Sequence, residues 1–191
     1  YSGGGGMWFP TNAVLRRAGD TDTLDDARTY FRSVVGDRTP RDLQDTFVTS
    51  GAPLIDYLEA DDNFEFQVLP WPDYFGKAPN ASATGRHICA APLRVRDDLE
   101  LNESIRGPLG RERAGERLRS TLIGGRALVG RFLVALRQYP NADTRLDTAL
   151  EDLVVENGGV VGAIVSHGGE RRAIRARRGV VLAAGGFERN D

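Results

Sequence analysis

Three stretches of this 191-residue chain carry residue types suited to chemistry. Ser2–Gly6 reads SGGGG, a run in which a flat or bulky ligand can lie against bare backbone because no Cβ stands in the way. By itself the run reads equally well as a flexible glycine loop, since no strand precedes it and no helix clearly follows to complete a phosphate-binding unit. The second stretch, LPWPDYF at Leu69–Phe75, offers the phenol of Tyr74. A phenol of ordinary pKa, about 10, is a poor base at neutral pH, and a tyrosine among Trp71, Pro72 and Phe75 reads first as an aromatic loop residue covering a core. The third stretch is RRGVVLAAGGFERND at Arg177–Asp191. Val180–Ala184 is a short continuous apolar run, the pattern of a parallel strand covered on both faces, and it leads into Gly185-Gly186. Ligands of open α/β sheets bind beyond the carboxyl ends of strands, so Ala184, Gly185 and Gly186 are candidate contacts, with a nucleotide cofactor as the natural occupant.

The elements that must position these groups are helical first and extended last. Thr23, followed by an acid at Asp26, marks a helix start, and Leu24, Ala27, Phe31 and Val34-Val35 recur at helical spacing, which predicts a helix over Leu24–Val35. Thr39-Pro40 marks a second start, with an apolar stripe of Leu43, Phe47, Leu54, Ile55 and Leu58 that Gly51 and Pro53 should break or kink. Periodicity fades from Asn63 to Ser120, a loop-rich stretch with five prolines, its first half read as functional and Arg106–Arg119 as weakly ordered. Ala127, Leu128, Phe132, Leu133 and Leu136 form an amphipathic helix entered through Gly124-Gly125 and closed by Pro140. Leu150–Glu156 and Val160–Ser166 flank the turn signal Asn157-Gly158-Gly159, and a third strand lies around Arg172–Ala176 after His167-Gly168-Gly169, which makes a β-meander.

Composition excludes several classes. A formal charge of −2, with arginines scattered among nearly equal numbers of acids, does not favour nucleic acid as a partner. Cys89 is the sole cysteine, so no disulfide framework exists, and the absence of a signal peptide or long apolar run fits a cytoplasmic protein with no transmembrane segment. His87 and His167 stand 80 residues apart and Cys89 neighbours only the first, so no metal site is expected. No nucleophile motif supports hydrolysis.

The opening YSGGGGMWFPTN, LPWPDYF, IGGRALVGRFL at Ile123–Leu133 and VVLAAGGFERN together resemble the 3-ketosteroid Δ1-dehydrogenases, within the flavoproteins that include fumarate reductase and succinate dehydrogenase. The likeness runs nearly end to end, and the PDY tract points to the steroid branch. It implies an α/β fold, a partial flavin-binding Rossmann-like domain with a helical insertion and a β-meander. Residues 1–191 would be the middle segment of an FAD-binding domain, its first βαβ unit and the catalytic domain absent, with 63–120 a loop-rich active-site-side region. FAD is the implied cofactor and a steroid the implied substrate, desaturated between carbons 1 and 2 of the A ring. The family removes a proton beside the 3-ketone and sends a hydride from the adjoining carbon to the flavin. Tyr74 takes the supporting role beside a base tyrosine that lies outside these residues. Ser2, Gly3 and Gly4 are implied flavin contacts, and Ala149 and Leu150 pass the adenine. Alone, the chain is expected to be inactive. Two alternatives stay open: another flavoprotein of the group, acting on a fumarate-like acid or on the 4-position of a 3-ketosteroid, and a noncatalytic fragment.

Overall fold

The computed structural model describes residues 4–96, 98–116 and 120–185, and the chain divides into two units, residues 1–140 and 141–191. In the first unit, β1 (Met7–Trp8) leads into the short helix α1 (Ala13–Arg17), whose start Asn12 caps by accepting from the Leu15 N–H at 3.1 Å. Helix α2 spans Leu24–Val35, the range its periodicity predicts. Thr23 accepts from the Asp26 N–H at 3.1 Å, and Gly36 ends the helix at φ +62°.

Helix α3 (Arg41–Glu59) overturns the expected break, for it runs unbroken through both Gly51 and Pro53. Its buried face is Gln44, Val48, Gly51 and Ile55, whereas Leu43, Phe47 and Leu54 of the expected stripe are exposed. Gly51 serves close approach rather than termination. A Cβ there would lie 2.6 Å from the Phe9 ring, so only glycine lets the helix meet that phenylalanine.

The expected loop-rich stretch contains more regular structure than its composition suggests. Strands β2 (Phe66–Leu69) and β3 (His87–Ala90) pair antiparallel, and β1 pairs with the other edge of β3, with Trp8 opposite His87. β3 is buried throughout. β4 (Leu93–Arg94) follows, then α4 (Leu99–Ser104) and α5 (Leu109–Arg113). α5 stands inside the segment expected to be weakly ordered, where Arg106 holds Glu112 through two hydrogen bonds of 2.7 and 2.9 Å. β5 (Thr121–Leu122) pairs with β4, and α6 (Gly125–Leu136) covers β3, β4 and β5. Ile55, Phe66, Ile88, Val95, Leu122 and Ala127 belong to the one core that these elements share.

The second unit holds β6 (Thr148–Glu156), β7 (Gly159–His167) and β8 (Glu170–Arg175), three consecutive antiparallel strands. Asn157 at φ +51° and Gly158 at φ +78° make the turn between β6 and β7, the two positive φ values that match the twist of a tight hairpin. The expected hairpin is therefore present.

The expected strand at Val180–Ala184 is not formed. Residues 176–185 are irregular, with Val181 92% exposed and Leu182 58% exposed. A parallel strand exists only through the ladders of its neighbours, and among the described residues nothing pairs with this segment; every strand pair there is antiparallel. Among the described residues no helix is long and apolar enough to cross a membrane.

Candidate active site

The loop from Pro70 to Arg86, joining β2 to β3, places Tyr74. Gly85 closes it at φ +78°, in contact with the Trp71 carbonyl, where any Cβ would collide. His87, the first residue of β3, donates its Nδ1–H to that same carbonyl at 3.2 Å and meets the Tyr74 ring edge-on, centroids 5.7 Å apart at 85°. Among the described residues the Tyr74 side chain has no hydrogen bond, and the residue is 80% exposed. The ring leans on His87 by one edge and is otherwise open, so the core-covering role that a tyrosine in aromatic company suggests does not apply.

Its neighbours in sequence are held firmly. Asp73, with a fully buried side chain, accepts from Trp8 Nε1–H at 2.8 Å, from the Ser82 N–H at 2.9 Å and from Arg86. Arg86 also forks onto Asp22 at 2.6 and 2.9 Å, and its guanidinium lies over the rings of Tyr30 and Trp8, 5.4 and 5.9 Å from their centroids. Burial pulls the Arg86 pKa down, but the bonds and charges of Asp22 and Asp73 outweigh it and leave it above the ordinary arginine value. On the other side, the Phe75 N–H donates to the Tyr30 hydroxyl at 3.3 Å. Burial raises the pKa of that hydroxyl and keeps it protonated.

The glycine run reaches the same place. Gly4, Gly5 and Gly6 line a cavity of about 260 Å³ together with Trp8, Trp71, Tyr74 and His87. Gly5, at φ +74°, rests on the backbone at the start of α6, where a Cβ would sit 2.4 Å from the Gly125 nitrogen. Among the described residues nothing lies within 4 Å of a Cβ built on Gly4, so its α-carbon is open while its carbonyl lies close to Gly124. One wall of the cavity is thus bare peptide and the other is aromatic, with a phenol and an imidazole at its rim. Such a surface accepts a flat, partly polar ring system.

The other expected contacts fall elsewhere. Ser2, Gly3 and Gly186 lie outside the described residues. Ala149 and Leu150 are exposed on β6, opposite Ser166 and Val165 of β7. Ala184 and Gly185 are exposed in the irregular segment, with Gly185 at φ +86°. Sequence reasoning weighed His87 only as a metal ligand and did not single out Trp8, Asp22, Asp73 or Arg86. A signal was available, because the acid and the tyrosine of PDY are adjacent and only one of the two can face inward from an extended loop.

The family model described as FAD binding domain matches residues 1–191. A 3-oxosteroid 1-dehydrogenase of Mycolicibacterium smegmatis is 31% identical, the match covering 98% of this chain and 40% of the relative. One from Rhodococcus opacus is 34% identical, covering 100% and 37%. A 4-oxocyclohexanecarboxylate 2-dehydrogenase of Sinomonas cyclohexanicum is 31% identical, covering 97% and 36%. The chain therefore spans about 40% of the length of the relatives it matches. The solved structure of 3-ketosteroid delta1-dehydrogenase from Sterolibacterium denitrificans, in complex with 1,4-androstadiene-3,17-dione, superposes with a TM-score of 0.76 at 24% identity over 97% of this chain and 41% of that one, which establishes a shared fold.

Proposed function

The chain belongs to the FAD binding domain family, and on that premise we propose that it serves FAD-dependent dehydrogenation of a 3-ketosteroid between carbons 1 and 2 of the A ring. The observation that carries this reading is the outward phenol of Tyr74 at the rim of the cavity that Gly4–Gly6 line. When bound, FAD supplies the hydride acceptor. Bare backbone at Gly4 fits a planar ring, and a cavity of about 260 Å³ is below the size that encloses a drug-sized ligand, so it takes only part of the cofactor or substrate.

The chain's own residues contribute placement and proton handling. Tyr74 donates or accepts a hydrogen bond beside the group that takes the proton next to the ketone, making that group a better base than an ordinary phenol. His87 supports the ring edge. Ser2, Gly3 and Gly4 are assigned to the flavin, Ala149 and Leu150 to the adenine, and Ala184, Gly185 and Gly186 to the cofactor's far side. The apolar segment Val180–Ala184 is assigned to the cofactor side of a Rossmann-like domain, with β6–β8 as its β-meander. Residues 63–120 are the active-site side. A soluble protein of the cytoplasm suits these assignments.

The relatives' names favour one second reading. In both 3-oxosteroid 1-dehydrogenase and 4-oxocyclohexanecarboxylate 2-dehydrogenase the dehydrogenated position lies two ring atoms from the oxo carbon. A smaller cyclic ketone would thus need the same proton and hydride removal from adjoining carbons.

Tyr74→Phe in the complete flavoprotein tests the proposal, with a 4-ene-3-ketosteroid and an artificial electron acceptor. Flavin reduction should slow by about 10²-fold, the lower end of general acid–base effects, while FAD content stays constant. Reduction at the unaltered rate would remove Tyr74 from the reaction. Turnover of 4-oxocyclohexanecarboxylate in place of the steroid would select the second reading.

A further inference from the structure

We infer that Arg86, acting with Asp73, Asp22, Trp8 and Tyr30, is a positioning residue that fixes the direction in which Tyr74 presents its phenol. The inference rests on the role given to Tyr74 above. Both residues flanking Tyr74 are tied down, Asp73 by buried Arg86 and by half-buried Trp8 and Ser82, and Phe75 by the hydroxyl of buried Tyr30, while Tyr74 itself is exposed. The anchors come from four separate places in the chain, namely β1, the segment before α2, α2 itself and the end of the loop. A loop that needed only to be stable would be served as well by apolar residues, because desolvating one guanidinium and two carboxylates offsets most of their attraction. What the ionic arrangement adds is direction. The planar fork of Arg86 meets Asp22 at 2.6 and 2.9 Å and Asp73 with a third donor, and its remaining reach ends on the Asn80 carbonyl at 3.0 Å. Each bond has one geometry, so the backbone at residues 73–75 has one as well.

Removing Arg86 leaves two carboxylates unpaired and risks unfolding, so the test uses changes that delete a single donor or hydroxyl and keep an aromatic side chain, the ring itself being retained only in Tyr30→Phe. In the complete flavoprotein, Trp8→Phe removes the Nε1–H that Asp73 accepts, and Tyr30→Phe removes the oxygen that Phe75 donates to. Tyr30→Phe, whose residue is not among those lining the cavity, should lower kcat for ketosteroid desaturation by about 10- to 100-fold with FAD content and KM unchanged, as misplacement by a fraction of an ångström to an ångström does, and Trp8→Phe, which also alters the cavity lining, should lower kcat at least as much. Introduced into Tyr74→Phe, Tyr30→Phe should cause no further loss. An equal loss in both backgrounds would show that the anchors act on general structure and would overturn the inference.

A second readout is independent of turnover. With 3-fluorotyrosine incorporated, the ¹⁹F resonance of residue 74, assigned by its absence in Tyr74→Phe, should shift or broaden in Trp8→Phe and in Tyr30→Phe. An unmoved resonance overturns the positioning role. A moved resonance in a protein that does not turn over ketosteroids supports the positioning role and refutes the steroid reading alone.

Discussion

Gly4 and Gly5 are adjacent, yet they tolerate a side chain very differently. A methyl group on Gly5 meets the Gly125 nitrogen in a backbone conformation, φ +74°, that L residues resist, whereas one on Gly4 meets nothing. Gly5→Ala should therefore destabilise the chain by about 2–4 kcal/mol, the sum of left-handed strain and overpacking against backbone that cannot swing away, measured by denaturant unfolding. Gly4→Ala should leave that midpoint unchanged and, in the complete flavoprotein, weaken FAD retention; full retention would withdraw Gly4 from the cofactor site. The glycine run and Tyr74 were legible in the sequence as chemistry. Their meeting was not, because 68 residues separate Gly6 from Tyr74 and local patterns carry no information about that approach. Asp73 was not singled out, because the partners that bury it, Trp8 and Arg86, are distant in sequence or carry no local pattern linking them to it.

Among the elements, those with their own periodicity and caps were the readable ones. α2, α6 and the β6–β7 hairpin follow from local signals, since Thr23, Gly124-Gly125 and Asn157-Gly158 each set backbone geometry within a few residues. α3 was misread at Gly51 because a helix breaker and a close-contact glycine look alike without Phe9 in view. Short strands such as β2 and β3 were missed, for strands of four residues owe their existence to distant partners. Asp98 joins two elements. It caps α4 by accepting from the Leu101 N–H at 2.9 Å and it pairs with Arg137 beyond α6. The Arg137 hydrogen bond, then the Leu101 N–H, holds its carboxyl below the ordinary aspartate value. A depressed acid stabilises the fold above its unfolded pKa, about 3.9, and that contribution is lost as pH falls through the lower folded value. Acid titration followed by NMR should show Asp98 protonating below a free aspartate, with loosening of α4 in step; Asp98→Asn should remove that acid-linked change.

Among the described residues, the buried apolar core is made of residues of the first unit, 1–140, and the strands of residues 141–191 expose most of their surface. Expressed separately, residues 1–140 should unfold cooperatively in denaturant and residues 141–191 should not, because three strands alone bury too little to offset chain entropy. Cooperative unfolding of the smaller piece would contradict this. At this scale the sequence spoke through resemblance rather than through pattern, and the FAD binding domain family covers every residue of the chain. One apolar run stands exposed outside any element. Val180–Ala184 combines β-branched residues, no charge and a backbone with no strand partner among the described residues, with Val181 92% exposed. Such a segment is a template for other copies of itself, and Arg177 and Arg178 stand in front of it as the charged gatekeepers that slow fibril-like stacking. Salt screens the repulsion between the positive charges of neighbouring copies, so high ionic strength should favour aggregation through these same five residues, measured by light scattering.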